Sequence, residues 1–175
     1  MFEGGFAGAE QVVDLLLYTD AYVARGSVAT RKRRLTDILN HAEEGFIVLR
    51  DAAFEPLSGG ATPIRAPYAQ VNLAAVLFAV ATTPSEPAPD LRTPKLPEAA
   101  LIMVPPFLVA GRIHLLPDRD LQEGLGELTG RFVPVTDARY WSDSLGLPAR
   151  EALMVAINHD RAQILAPYDG PAPEG

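Results

Sequence analysis

Cysteine is absent from the 175-residue chain, which excludes disulfides, thiolate metal sites and a cysteine nucleophile. Histidine is scarce. His41, His114 and His159 lie in different segments, and none has a second histidine at i+3 or i+4, the spacing that sets two imidazoles on one helical face for a metal. Surface or capping roles are expected for all three, and no metal site is assigned. No Gly-x-Ser-x-Gly elbow occurs, so a strained serine nucleophile has no place to sit. Gly124-Leu125-Gly126 lacks the downstream glycine and lysine of a phosphate-cradling loop. No catalytic residue and no cofactor is therefore assigned.

Long apolar runs are missing too. Val71 to Ala81 is too short to cross a bilayer, and Met1 to Gly5 shows no basic region leading into an apolar core. A cytoplasmic protein with no membrane association is the expectation. Positive charge is in deficit, with 15 Lys and Arg against 22 Asp and Glu and a net charge of −7. Both halves of the chain are net negative, which disfavours the counterion release that drives non-specific nucleic-acid binding.

What is present is an ordinary globular composition, 48% hydrophobic and 21% charged, and an internal echo. Gly45 to Phe54 aligns with Arg131 to Tyr140 at an offset of 86, as from Phe46 to Phe132. Leu49 then meets Val135, Asp51-Ala52 meets Asp137-Ala138, and Phe54 meets Tyr140. The same offset pairs Leu35 with Leu121, Leu39 with Leu125, and Val71-Asn72 with Ile157-Asn158; one residue of slippage pairs Tyr22 with Phe107 and Gly26 with Gly111. Alternation of apolar residues does not by itself generate matching Asp-Ala, Asn and Gly positions. The reading is a tandem duplication, with units at residues 10–82 and 99–168, a Pro-rich linker at 83–98 and a flexible tail at 169–175. Each unit would bury a marginal core alone, so packing between units or oligomerisation is expected.

Within a unit, Val13 to Thr19 and Tyr22 to Ala29 read as a strand pair around the turn-prone Thr19-Asp20. Gly26 and Gly111 fall inside the second strand of each unit, where glycine marks a bulge or sharp bend. Leu35, Ile38 and Leu39 share one face of a short helical turn, and Leu121, Leu125 and Leu128 keep that face in the second copy. Phe46 to Leu57 alternates as a strand, and Tyr68 to Ala81 is long enough for one bent strand or two. The fold class is mainly β: two tandem small antiparallel β-barrel-like units, each with a short helical turn.

This order resembles the small Sm-like barrel. The resemblance rests on Gly26, Leu49-Arg50-Asp51-Ala52 and Val71-Asn72 to Val80 in the first unit. In the second it rests on Gly111, Val135-Thr136-Asp137-Ala138 and Ile157-Asn158 to Leu165. It implies pairing between unit edges and ring assembly, three tandem chains making a pseudo-six-membered ring. The family's base-binding signatures do not transfer. A longer segment replaces the compact Asp- and Asn-bearing turn, and Asn72-Leu73 and Asn158-His159 stand where the family carries an arginine-glycine pair.

Among individual residues, Asp51 and Asp137 are either a paired acid site or carboxylates bonding backbone at a bulge, the second being the simpler expectation. Asn72 and Asn158 read as turn asparagines tolerant of left-handed backbone. The run Arg31, Lys32, Arg33, Arg34 is the candidate ligand- or partner-binding site, four adjacent cations able to meet a phosphate or an acidic partner. The expected function is a non-catalytic assembly or adaptor protein whose partner is another copy or another protein. Two alternatives stand beside it: a nucleic-acid or nucleotide binder using the basic run, disfavoured by the acidic pI, and an enzyme with Asp51 or Asp137 in a cleft between the units.

Overall fold

Alternation of inward and outward side chains makes strands of most of the chain. The computed structural model describes residues 9–32, 34–42, 44–82, 95–117, 120–125, 128 and 130–170. In β1 (Gln11–Tyr18) Val13, Leu15 and Leu17 are buried while Val12 and Asp14 face out. Thr19 turns the chain, its Oγ1 accepting from the Ala21 and Tyr22 amides at 3.3 and 2.8 Å, and β2 (Tyr22–Thr30) returns beside β1. The helical turn α1 (Leu35–Asn40) buries Leu35, Thr36, Ile38 and Leu39, the face its spacing predicts. Then follow β3 (Phe46–Pro56) and β4 (Ile64–Asn72). The apolar stretch to Ala81 resolves into the end of β4, a 3-10 turn (Leu73–Ala75) and β5 (Phe78–Ala81).

The second half repeats this series. It runs β6 (Leu96–Val104), β7 (Phe107–Leu115), α2 (Leu121–Leu125), β8 (Phe132–Ser142), β9 (Leu147–Asn158) and β10 (Ile164–Pro167). The start of β6 falls within the stretch read as linker, whose residues 83–94 lie outside the described ones. Pro97 sits in β6 before β10 joins that strand at Ala100, so its missing amide hydrogen interrupts no ladder on that side.

All ten strands share one open antiparallel sheet, in the order β10-β6-β7-β8-β9-β5-β1-β2-β3-β4. The two halves have the same internal order, β5-β1-β2-β3-β4 and β10-β6-β7-β8-β9, and they join where β5 pairs with β9. Among the described residues the sheet does not close on itself: β4 pairs only with β3, and β10 only with β6.

Each half carries a bulge at the glycine of its second strand, and for the same reason. Register shifts between Arg25 and Ser27 on β2 against β3, and between Ala110 and Arg112 on β7 against β8. A Cβ at Gly26 would lie 2.7 Å from Leu49 Cβ and 2.9 Å from the Arg50 carbonyl oxygen; at Gly111 it would lie 2.5 Å from Val135 Cγ1 and 2.9 Å from the Thr136 carbonyl oxygen. Only glycine lets the backbones approach so closely. Opposite each glycine an aspartate takes the extra-residue position of the bulge with left-handed backbone, Asp51 at φ 49° and Asp137 at φ 47°.

Two hydrophobic cores result, and neither is made by one half alone. The first contains Leu15, Leu17, Leu35, Leu39, Leu49 and Leu73, with Phe132 and Ala156 contributed by the second half. The other gathers Ile102, Val109, Ile113 and Val135 of the second half around Tyr18, Leu77 and Phe78 of the first.

Candidate functional site

The seam between the halves is where the chain spends its least ordinary residues. Phe78, Ala79 and Val80 of β5 lie opposite Ile157, Ala156 and Val155 of β9, and all six are buried. Beside them Tyr18 stacks on Phe78 with ring centroids 4.5 Å apart, and Phe107 and Tyr140 meet Phe78 at 5.1 and 5.2 Å. Offset and edge-on aromatic contacts of this kind add to the gain from burial alone. The Tyr18 and Tyr140 hydroxyls meet at 3.2 Å. Burial, then the hydrogen bond to Tyr18, holds the Tyr140 phenol well above its ordinary range.

Two asparagines lock the seam at one end, where Asn158 lies opposite Phe132. Asn158 is fully buried; its Nδ2 donates to the carbonyls of Val76 at 2.8 Å and Leu73 at 3.3 Å, both in the first half. Asn40, at the end of α1, bonds β8 at the residue that lies opposite Asn158. Its Nδ2 donates to the Phe132 carbonyl at 3.0 Å, and its Oδ1 accepts the Phe132 amide at 2.8 Å. These bonds tie backbone groups of one half to side chains of the other. Neither role was legible beforehand. Asn40 carries no motif, and the one available signal for Asn158 was its alignment with Asn72.

The structure places the other candidates elsewhere. Arg31 and Lys32 are exposed in the β2–α1 connection, where the Lys32 carbonyl accepts from Gln11 Nε2 at 2.9 Å. Arg34 is the residue before α1, its carbonyl accepting the Ile38 amide, and Arg33 lies outside the described residues. The described part of the basic run therefore sits on the connection that leads into α1. Asp51 and Asp137 are exposed at their bulges; Asp137 makes a 3.8 Å ion pair with Arg112. Asn72 is not left-handed but extended, at φ −73°, with its Oδ1 accepting from the Ala74 amide at 3.0 Å to start the 3-10 turn. The expected left-handed backbone belongs to the aspartates.

The histidines do separate things. The His41 ring bonds the Asp37 carbonyl, His114 Nε2 meets Thr136 Oγ1 at 2.7 Å, and the His159 amide donates to Arg131. Partial burial and the nearby Lys95 and Arg112 charges lower the His114 pKa against the raising effect of Asp137. Among the described residues no three His, Asp or Glu side chains gather to hold a metal, and no helix is long and apolar enough to cross a membrane. An open groove of about 720 Å³ lies over the β7–β8 bend, where Arg112, Asp137, Arg139, Glu151, Leu153 and Tyr168 meet.

No family model, curated protein or solved structure matches the chain.

The two ends of the sheet contrast with the seam. At the β4 end Tyr68 is 68% exposed, with Ile64, Phe46 and Tyr22 also in solvent; at the β10 end Ile164 is 52% exposed. Apolar side chains at open strand edges make such edges ready to pair.

Proposed function

We propose that the chain is a non-catalytic assembly protein, a duplicated small β-barrel of Sm-like kind that associates with further copies of itself. One observation carries this reading. The seam joins the last strand of the first half, β5, to the fourth strand of the second, β9. The sheet consequently ends in the complementary pair, the last strand of the second half, β10, and the fourth strand of the first, β4. Each copy thus offers one edge of each kind, which is the requirement for a head-to-tail contact.

The duplication draws support from geometry as well as from sequence. The glycine bend, the left-handed aspartate opposite it and the helical turn before the third strand recur in both halves. So do bonds between equivalent residues: the Leu73 amide to the Gly45 carbonyl at 2.9 Å and the His159 amide to the Arg131 carbonyl at 2.7 Å.

Absolute mass in solution across a concentration series, with the 260/280 nm absorbance ratio recorded over each peak, tests the reading. Species of several chains with a protein-like ratio are expected, a closed trimer among them. A monomer at every concentration rejects it. A peak carrying nucleic acid that is lost when Arg31, Lys32, Arg33 and Arg34 are neutralised replaces it with nucleic-acid binding.

A further inference from the structure

Resting on that self-assembly reading, we infer that the contact between copies repeats the internal seam residue for residue: β10 of one copy pairs antiparallel with β4 of the next, Ile164 opposite Val71, Leu165 opposite Gln70 and Ala166 opposite Ala69. The register follows from the seam. Within the halves, Phe78 and Ile164 hold the same place, one opposite Tyr18 on β1 and the other opposite Met103 on β6. Ile157 and Val71 likewise hold the same place, opposite Val133 and Ile47. Transferring the pair Phe78–Ile157 to the open edges yields Ile164–Val71, and the next two pairs follow.

Three independent features of the edges agree with this register. The first is burial. Val155, Ala156, Ile157 and Asn158 are buried by the seam, whereas their counterparts Ala69, Gln70, Val71 and Asn72 are half-buried or exposed. Phe132 enters the core of the other half, whereas its counterpart Phe46 is 43% exposed. The uncovered surface on the first half is the surface that the second half covers.

The second is ladder length. The seam has three paired residues on each strand. In the transferred register the ladder also stops after three. Pro167 falls opposite Tyr68, so the amide donor that the next bonded pair needs is missing from β10.

The third is the asparagine. Asn72 already uses Oδ1 within its own copy, as Asn158 uses its Oδ1 for the Asp160 amide at 3.1 Å. Asn158 then spends Nδ2 on Leu73 and Val76 across the seam. The equivalent acceptors for Asn72 are the carbonyls of His159 and Ala162 in the next copy.

The contact between copies is weaker than the seam it repeats. Gln70 stands where Ala156 does; Met103, Ile164, Tyr22 and Phe54 replace the ring cluster of Tyr18, Phe78, Phe107 and Tyr140; and in the sequence Gly126 aligns with Asn40. Assembly is therefore concentration-dependent, while each chain holds together by itself.

The cysteine-free chain allows a direct test in the full-length protein. A Gln70→Cys/Leu165→Cys variant is oxidised and run without reductant, beside each single variant and the shifted pair Val71→Cys/Leu165→Cys. A ladder of covalently linked chains from the matched pair alone is expected. Asn72→Asp, which keeps the turn-capping oxygen and removes the donor, is expected to weaken association roughly tenfold at unchanged melting temperature. Oligomers of normal mass that link equally through the shifted pair, or that ignore Asn72→Asp, overturn the register and leave self-assembly standing. A wild-type monomer at all concentrations overturns both.

Discussion

The hydroxyls of Tyr18 and Tyr140 meet at 3.2 Å inside the seam, one tyrosine from each half of the chain. Their rings pack edge to face at 5.5 Å, so the polar tips are bonded to each other while the ring bodies belong to the apolar core. The raised Tyr140 pKa makes this contact sensitive to alkali. A phenol whose folded-state pKa lies above its unfolded value of about 10 contributes stability that is complete below that pH and is lost as pH rises beyond it. Denaturation midpoints measured from pH 8 to 11 are expected to fall steeply above pH 10 in the wild type and less steeply in Tyr140→Phe. Equal slopes would sink the assignment.

Asn158 and Asn72 share a position but not a workload. Asn158→Ala leaves the Leu73 and Val76 carbonyls without their side-chain donor in a buried seam, and is expected to lower unfolding free energy by about 2–3 kcal/mol. Asn72→Ala removes only an exposed turn cap, worth about 1 kcal/mol. Equilibrium denaturation at a concentration where the protein is monomeric separates the two. Similar losses would contradict a bridging role for Asn158.

The glycine bends are steric necessities. Gly111→Ala sets a methyl against Val135 and the Thr136 carbonyl, and Gly26→Ala sets one against Leu49 and the Arg50 carbonyl. Because a backbone oxygen cannot swing away as a flexible side chain can, each is expected to cost about 1–3 kcal/mol. Thermal or chemical denaturation that leaves both variants at wild-type stability would show that the bend has slack.

Asp51 and Asp137 hold left-handed backbone at their bulges, at φ 49° and 47°. Asp→Gly at either site is expected to retain stability, since glycine adopts positive φ freely. Asp→Val is expected to lose about 1–2 kcal/mol or more. The Arg112–Asp137 pair, more than half exposed on both sides, adds little of its own. Denaturation curves for the two series decide the matter: an Asp→Asn loss as large as that of Asp→Val would restore a role for the carboxylate charge.

Much of the local structure was legible without coordinates. The helical turn begins and ends at Leu35 and Asn40 because Leu35, Ile38 and Leu39 mark one face. Gly26 and Gly111 announced their bulges because a glycine inside an alternating strand has few other uses. The left-handed positions were assigned to the wrong side chains. Asparagine and aspartate share that tolerance, and whether a bulge or a turn needs it depends on the strand opposite. The basic run stood out by its composition, and its described residues lie on the connection between β2 and α1.

By itself, the sequence determined the mainly β character, the order of elements and the places where strands must bend, since each follows from contacts within a few residues or from the geometry of one side chain. Only the tertiary structure decided that the halves share one sheet, that Phe132 completes the core of the other half, and that Asn40 and Asn158 lock the joint. Those bonds span 82 to 92 residues of chain. No local pattern encodes which distant backbone groups the two asparagine side chains will reach.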